Sequence, residues 1–298
     1  MTKRLLLVDH NALLHRCRSA LLRTGRRYTT ADGTPTTGVF SYLNCLLSII
    51  KTQSPTHVVV CFDAGGNSRK EESDTYKANR KPLDPDFLTE NRILKEEALY
   101  AMGIESIGFR GYEADDILYT LSHIAQFGPD RFDEVIIATV DQDLLQCVTG
   151  RCAVLLWNGV KKQQLMWFDE VNEKWDCEPA DIRLVKALSG DASDNIKGVK
   201  GIGPKTAVKL LREASWDLSE VIKTDKIAPH AEQVMENLDL VTLKNMTGVL
   251  GPIDWEDHRL GLGMESDLLD LVTKYEMTSL IKRMSSILDT LRVKSLSD

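Results

Sequence analysis

Gly111-Tyr112-Glu113-Ala114-Asp115-Asp116 follows an apolar, strand-like run from Ile104 to Phe109 and precedes an amphipathic stretch with Ile117, Leu118, Leu121, Ile124 and Ala125 on one side. Strand, acidic turn and helix in that order make one unit of an α/β fold. Three carboxylates crowd the first turn of the helix. Its N-terminal partial charge offsets only a little of their repulsion, and a divalent cation would offset far more.

The same unit recurs on both sides. Arg4-Leu5-Leu6-Leu7-Val8 is a short continuous apolar run of the kind a buried parallel strand shows, and it ends in Asp9. Val58-Val59-Val60-Cys61-Phe62 ends in Asp63, and Val135-Ile136-Ile137-Ala138-Thr139 is followed by Asp141 and Asp143. A single aspartate after a strand is usually a helix cap or turn residue. Several strands ending the same way point to a ligand site at the C-terminal edge of a parallel sheet. Helices are expected over 11–23, 39–50 and 85–102, and a hairpin around Asn158-Gly159 joins 153–157 to 164–168.

After residue 175 the pattern becomes helical. Asp191 and Asp194 lie three apart in Gly190-Asp191-Ala192-Ser193-Asp194-Asn195, so one turn can aim both at one ion. Amphipathic helices are expected over 217–246 and 265–292. The fold class is therefore α/β, a central mostly parallel sheet flanked by helices, with a C-terminal helical part. The expected division is 1–175 for the sheet domain, with a basic loop at 64–82, and 176–298 for the helical part.

Nine acidic residues, Asp9, Asp63, Glu113, Asp115, Asp116, Asp141, Asp143, Asp191 and Asp194, are candidate metal ligands. Oxygen-only donors without His or Cys suit Mg²⁺, with Mn²⁺ as a substitute, and disfavour zinc. Mg²⁺ needs only one or two direct carboxylates, so nine suffice for two ions and an outer shell. Two such ions support in-line displacement at phosphorus. Asp141-Gln142-Asp143 opens like a calcium loop, but Gln146 and Cys152 stand where that loop needs Gly and Glu.

The net charge of −7 argues against nucleic acid only superficially. With the nine candidate ligands set aside, the remaining 35 acidic residues face 37 Lys and Arg. The basic residues gather at 69–81 and 197–212. The first window carries Arg69, Lys70, Tyr76, Lys77, Arg80 and Lys81, a basic loop with a stacking aromatic suited to phosphate capture. Lys77 and Arg80 could offset charge on a reacting phosphate. In the second, Lys197, Lys200, Gly201, Gly203, Lys205, Thr206 and Lys209 surround a glycine turn that opens a helix. Pro204 breaks the Gly-Lys adjacency of a nucleotide-binding loop, and no strand precedes it, so this is a glycine turn opening a helix, whose free N–H groups can hold a phosphate. The six cysteines show no zinc spacing and are read as reduced, intracellular packing residues. No run approaches a membrane span.

Taken together, Leu7-Val8-Asp9, Leu14-His15-Arg16, Gly33 to Gly38, Phe62-Asp63-Ala64, Tyr76-Lys77-Ala78-Asn79-Arg80, Gly111 to Asp116, Thr139 to Asp143, Gly190 to Asn195 and Gly198 to Leu211 closely resemble the 5′-nuclease family. That family includes the N-terminal domain of bacterial DNA polymerase I, phage 5′–3′ exonucleases and flap endonucleases. The resemblance runs from residue 4 to about 215. It implies a PIN-like core and Mg²⁺-dependent hydrolysis of DNA at 5′ ends, nicks, gaps and flaps, leaving 5′-phosphate and 3′-hydroxyl ends. It extends to RNA in RNA–DNA hybrids. It implies contacts from Lys77, Arg80 and Arg16 at the scissile region. It also makes 190–215 a helix-three-turn-helix that grips duplex phosphates, with K⁺ in its turn, and a monomeric cytoplasmic enzyme of a bacterial or phage-infected cell. Position 10 is His where the family has Gly, Ser68 replaces a common Phe, and the basic loop is short. No polymerase sequence follows, which fits a standalone enzyme. The competing readings are a non-catalytic branched-DNA binder of the same fold and a PIN-type ribonuclease. The glycine-lysine turn at 198–211 separates the latter, because PIN domains lack it.

Overall fold

A computed structural model describes residues 2–66, 76–79, 82–159, 162–261 and 265–281. The chain runs β1 (Arg4–Asp9), α1 (His10–Arg23), α2 (Thr37–Gln53) and β2 (His57–Cys61). Next come α3 (Pro85–Ile93), which passes through a π turn at Leu94–Ala98 into Leu99–Ala101, then β3 (Glu105–Ile107), α4 (Ala114–Phe127) and β4 (Glu134–Thr139). A 3₁₀ turn over Asp143–Cys147 leads to β5 (Cys152–Trp157), β6 (Gln163–Met166), α5 (Phe168–Trp175) and α6 (Ile182–Ser189). The remainder comprises a two-stranded ribbon, β7 (Gly190–Asp191) and β8 (Ile196–Lys197), followed by α7 (Pro204–Glu213), α8 (Leu218–Val221), α9 (Ala231–Val241), α10 (Thr247–Leu250) and α11 (Glu265–Lys274).

The six-stranded sheet has the order β3-β2-β1-β4-β5-β6, parallel throughout except for β6. The chain moves outward from β1 to β2 and β3, then returns to the other side of β1 with β4. Consecutive connections therefore leave in opposite directions from the ends of β1 and β4, the switch point at which open α/β sheets place ligands.

Side chains alternate across the strands. Leu5, Leu7, Val59, Val135 and Ile137 face one core, with Ile117, Leu121, Val185 and Val208 from α4, α6 and α7. Leu6, Val8, Val58, Val60 and Ile136 face the other, with Leu13, Leu43, Ile93 and Leu271 from α1, α2, α3 and α11. Both faces are covered, which is why the strands read as unbroken apolar runs. All six cysteines are buried and free. Among the described residues no helix is long and apolar enough to cross a membrane.

Two expectations change. The strand expected over 104–109 pairs only at Glu105–Ile107, because Gly108 lies against the Phe62 ring, which a Cβ there would meet at 2.4 Å. The helix expected over 217–246 is broken into α8, a 3₁₀ turn at Ala228–His230 and α9, with Pro229 inside the turn. Of the helix expected over 265–292, residues beyond 281 lie outside the described part.

Candidate active site

An open groove of about 1250 Å³ crosses the switch point and is lined by eight carboxylates, from Asp9, Asp63, Glu113, Asp115, Asp141, Asp143 and Asp191 of the expected set and from Asp84. Asp9 ends β1 and caps α1, accepting from Ala12 N at 3.2 Å and from Thr139 Oγ1 at 2.7 Å. Thr139 Oγ1 also accepts from Asp141 N at 3.0 Å, so one hydroxyl at the end of β4 orients both aspartates. Asp63, after β2, accepts from Ala114 N at 2.8 Å in the first turn of α4. Asp141 accepts from Asp143 N at 2.9 Å. Strand-end aspartates are thus held by backbone and hydroxyl donors of neighbouring elements.

The charge this concentrates is visible in the acidities. Burial, together with the nearby Asp63 and Asp141 carboxylates, pushes Asp9 up to about 7 against the bonds from Thr139 and Ala12. Burial and the charges of Asp141, Asp9 and Glu113 push Asp115 well above the ordinary carboxylate range, while Lys77 works the other way. Among the described residues no three carboxylates converge on one point as a ready-made cage. Two buried ammonium groups stand among them instead.

Lys77 donates to Glu113 Oε1 at 2.5 Å and lies 3.7 Å from Asp194 Oδ2. Lys186, on α6, bridges Asp143 and Asp191, at 2.6 Å from Asp191 Oδ2. Burial alone would raise Asp191, but Lys186 and the Ser193 donors hold it below the ordinary value. Lys186 was not singled out from the sequence. Its signal is a charge inside the apolar run Leu184-Val185-Lys186-Ala187-Leu188, where a buried lysine requires a partner. Arg18 was also missed. It lines the groove and forms a fork onto Asp84, at 2.9 and 3.0 Å, and onto the fully buried Glu90.

Several expected residues sit elsewhere. Arg16 does not line the groove; its guanidinium donates to Asn158 Oδ1 beyond the end of β5. Helical geometry explains this, since Asn11, His15, Arg18 and Ser19 share one face of α1 and Arg16 is turned away from it. Tyr76 is not presented to a base. Its ring is buried with Ile196 and Val241, and its hydroxyl donates to Glu113 Oε2 at 2.9 Å and lies 3.3 Å from Asp194 Oδ2. Asp191 and Asp194 do not aim at one point, because Asp191 turns to Lys186 and Asp194 to Tyr76 and Lys77. Asp116 is 1% exposed, is absent from the groove wall, and accepts from Lys244 N at 2.8 Å. Arg69, Lys70 and Arg80 lie outside the described residues.

Beside the carboxylates stands the glycine turn. Gly190 and Gly198 bring the two ends of the β7–β8 ribbon backbone to backbone. A Cβ on Gly198 would meet the Ser189 carbonyl carbon at 2.2 Å, and one on Gly190, whose φ is +76°, would meet Gly198 N at 2.2 Å. Asn237 of α9 donates to Ala187 O at 3.0 Å and Lys197 O at 2.9 Å, clamping the ribbon to α6. Gly203 then caps α7 with Pro204 at its first position. Lys197, Lys200, Lys205 and Lys209 are exposed around this turn, while Thr206 is half-buried. The first N–H groups of α7, at Lys205 and Thr206, have no acceptor within the helix.

Residues 4–176 match the 5′–3′ exonuclease N-terminal, resolvase-like domain, and residues 177–260 match the 5′–3′ exonuclease C-terminal SAM fold. The chain belongs to the 5′–3′ exonuclease family. It is 37% identical over 232 residues to a 5′–3′ exonuclease of Bacillus subtilis, covering 77% of this chain and 76% of that one. It is 35% identical over 292 residues to DNA polymerase I of Caldicellulosiruptor bescii, covering 94% of this chain and 33% of that protein, so it spans about a third of such polymerases. The fold resembles a bacteriophage T5 flap endonuclease solved as a pseudo-enzyme-product complex with DNA and metal ions, with a TM-score of 0.64, 22% identity and coverage of 96% and 98% of the two chains.

Proposed function

We propose that this chain is a structure-specific 5′-nuclease that hydrolyses DNA phosphodiesters at 5′ ends, nicks, gaps and flaps with two divalent ions. The supporting observation is the groove at the switch point, where eight carboxylates meet two buried lysines beside a lysine-ringed glycine turn. The donor set fits the ions. It is all oxygen, burial together with the neighbouring Asp63 and Asp141 carboxylates lifts Asp9 to about 7, and Mg²⁺ needs only one or two direct carboxylates while keeping its own waters. Asp9, Asp63, Glu113, Asp115, Asp141, Asp143, Asp191 and the adjoining Asp194 would hold or surround them. When bound, such ions supply the charge that activates water and stabilises the leaving oxygen.

The chain's own groups do the rest. Lys77 sits at the groove wall on Glu113, where its ammonium can turn to a phosphate that enters. Thr139 holds an oxygen of Asp9 and the backbone N–H of Asp141 through one hydroxyl. The turn at 198–203 and the N-terminus of α7 bind duplex phosphates, with K⁺ in the turn. The α/β part, 1–175, carries most of the carboxylates, and the helical part, 176–298, adds Lys186, Asp191 and Asp194 and holds the duplex. The protein works as a monomer on flapped, nicked, gapped or 5′-ended DNA, including RNA–DNA hybrids.

The test uses 5′-labelled flap, nicked and gapped duplexes with Mg²⁺ or EDTA, together with calorimetric titration of Mg²⁺ into the DNA-free protein. Metal-dependent cuts near the junction and measurable Mg²⁺ binding are expected. Absence of any metal-dependent cut on all three substrates would overturn the reading.

A further inference from the structure

The nuclease reading leaves one acidic residue of the central cluster without a place at the groove. Asp116 follows Asp115 on α4, yet its carboxylate is directed to the polypeptide 128 positions later, accepting from Lys244 N at 2.8 Å. One helical turn on, Thr120 completes the same contact. Its hydroxyl donates to Asp116 O at 2.7 Å, lies 3.4 Å from Lys244 O, and accepts from Met246 N at 2.9 Å. Asp116, Thr120 and Met246 are all buried. Asp116 and Thr120 therefore bind the backbone of residues 244–246 at both ends, outside the groove wall. Gln146 of the 3₁₀ turn adds a bond to Val241 O at 3.1 Å, just ahead of the same segment.

We propose that Asp116 is a positioning residue and not a metal ligand: with Thr120 it straps residues 244–246 to α4 and so fixes the first turn that carries Glu113 and Asp115. The proposal rests on the nuclease reading for its consequence, since placing those two carboxylates matters only if they serve the ions. It differs from that reading in what the Asp116 oxygen does. A ligand must supply negative charge. A strap needs only an acceptor, and an amide oxygen supplies one.

Asp116→Asn and Thr120→Ser keep the acceptor and the hydroxyl; Asp116→Ala and Thr120→Val remove them. Two readouts on the full chain separate the outcomes. The first is binding of Mn²⁺ alone, without DNA, followed by the paramagnetic signal of the free ion. Asp116→Asn and Thr120→Ser should bind within about twofold of the parent, Asp116→Ala and Thr120→Val more weakly, and Asp115→Asn should lose roughly tenfold or more, as loss of a direct or orienting carboxylate does. The second is hydrogen exchange at the Lys244 and Met246 amides, slow in the parent and both conservative variants and faster in Asp116→Ala and Thr120→Val. If Asp116→Ala does not fold, the Asn variant and the Thr120 pair still decide. The proposal is overturned if Asp116→Asn loses Mn²⁺ as severely as Asp115→Asn while both amides stay protected, or if those amides exchange alike in the parent and Thr120→Val. Failure of the nuclease reading shows differently, as a parent protein that binds no Mn²⁺ while its Lys244 and Met246 amides are protected through Asp116 and Thr120.

Discussion

Replacing Lys186 with Met keeps the length and apolar stem of the side chain and removes only its ammonium. In the structure that ammonium is 8% exposed and bridges Asp143 and Asp191, whose side chains are 15% and 9% exposed. Breaking a buried pair by deleting one partner typically costs about 3–5 kcal/mol, because the remaining charges stay desolvated. Here two carboxylates lose their partner together, so the lower end, about 3 kcal/mol, is a conservative expectation in EDTA. For a chain of 298 residues, with about 2.1 cal/mol/K of unfolding entropy per residue, that shifts the melting temperature by roughly 5 °C. The pH dependence follows from Asp191, which Lys186 holds below its ordinary pKa of 3.8. The contribution is therefore full above that value and fades only as the pH falls below it. Mg²⁺ tests the reasoning directly. If divalent ions bind among these carboxylates, adding Mg²⁺ restores a cation and should recover a large part of the loss in Lys186→Met. Thermal unfolding of parent and variant in EDTA and in Mg²⁺ measures this. An equal deficit in both conditions would refute the idea that Lys186 and the metal share the neutralisation of one acidic cluster.

Two further outcomes are expected. In metal-free protein, Asp9 has a folded pKa of about 7 against 3.8 unfolded, so its protonation stabilises the fold at low pH and that stability is lost as the pH rises toward 7. Urea unfolding should show the advantage of the parent over Asp9→Asn shrinking by roughly 2 kcal/mol between about pH 5 and 7; comparison with the variant cancels the buried His10 and His57, which titrate near 4 in the fold. Lys205→Ala should weaken duplex binding and reduce the slope of log affinity against log salt by about 0.9, the loss of one phosphate contact. An unchanged slope would remove Lys205 from the duplex surface.

The parts of this molecule that were legible in the sequence are those set by local pattern. The strands β1, β2 and β4 are buried on both faces, so each appears as an apolar run with an aspartate at its end. A parallel sheet then forces those ends to one edge, which is why Asp9, Asp63 and Asp141 could be grouped without coordinates. What could not be read depends on rotation about a helix or on partners far away in the chain. Arg16 and Arg18 differ by two positions, and only the orientation of α1 puts Arg18 in the groove and Arg16 on Asn158. Asp115 and Asp116 are equally acidic neighbours, yet a contact with Lys244, 128 residues on, separates them. Tyr76 looked like a surface aromatic because its burial partners, Ile196 and Val241, come from the helical part. Lys186 was passed over because a lysine in a helix is usually solvated, and its carboxylate partners lie before and after it in other elements.

The contact between Gly190 and Gly198 has a geometric consequence. With no side chain between them, the backbone leading into Asp191 and the backbone leading into the lysine turn touch, and Asn237 fastens the pair to α6. Asp191 and the lysine turn therefore behave as the two jaws of a calliper with a locked hinge. The span between them is fixed by two van der Waals radii and cannot flex through a side-chain rotamer. On the proposed reading, the separation between the duplex-binding turn and the carboxylate of Asp191 is then a property of the backbone.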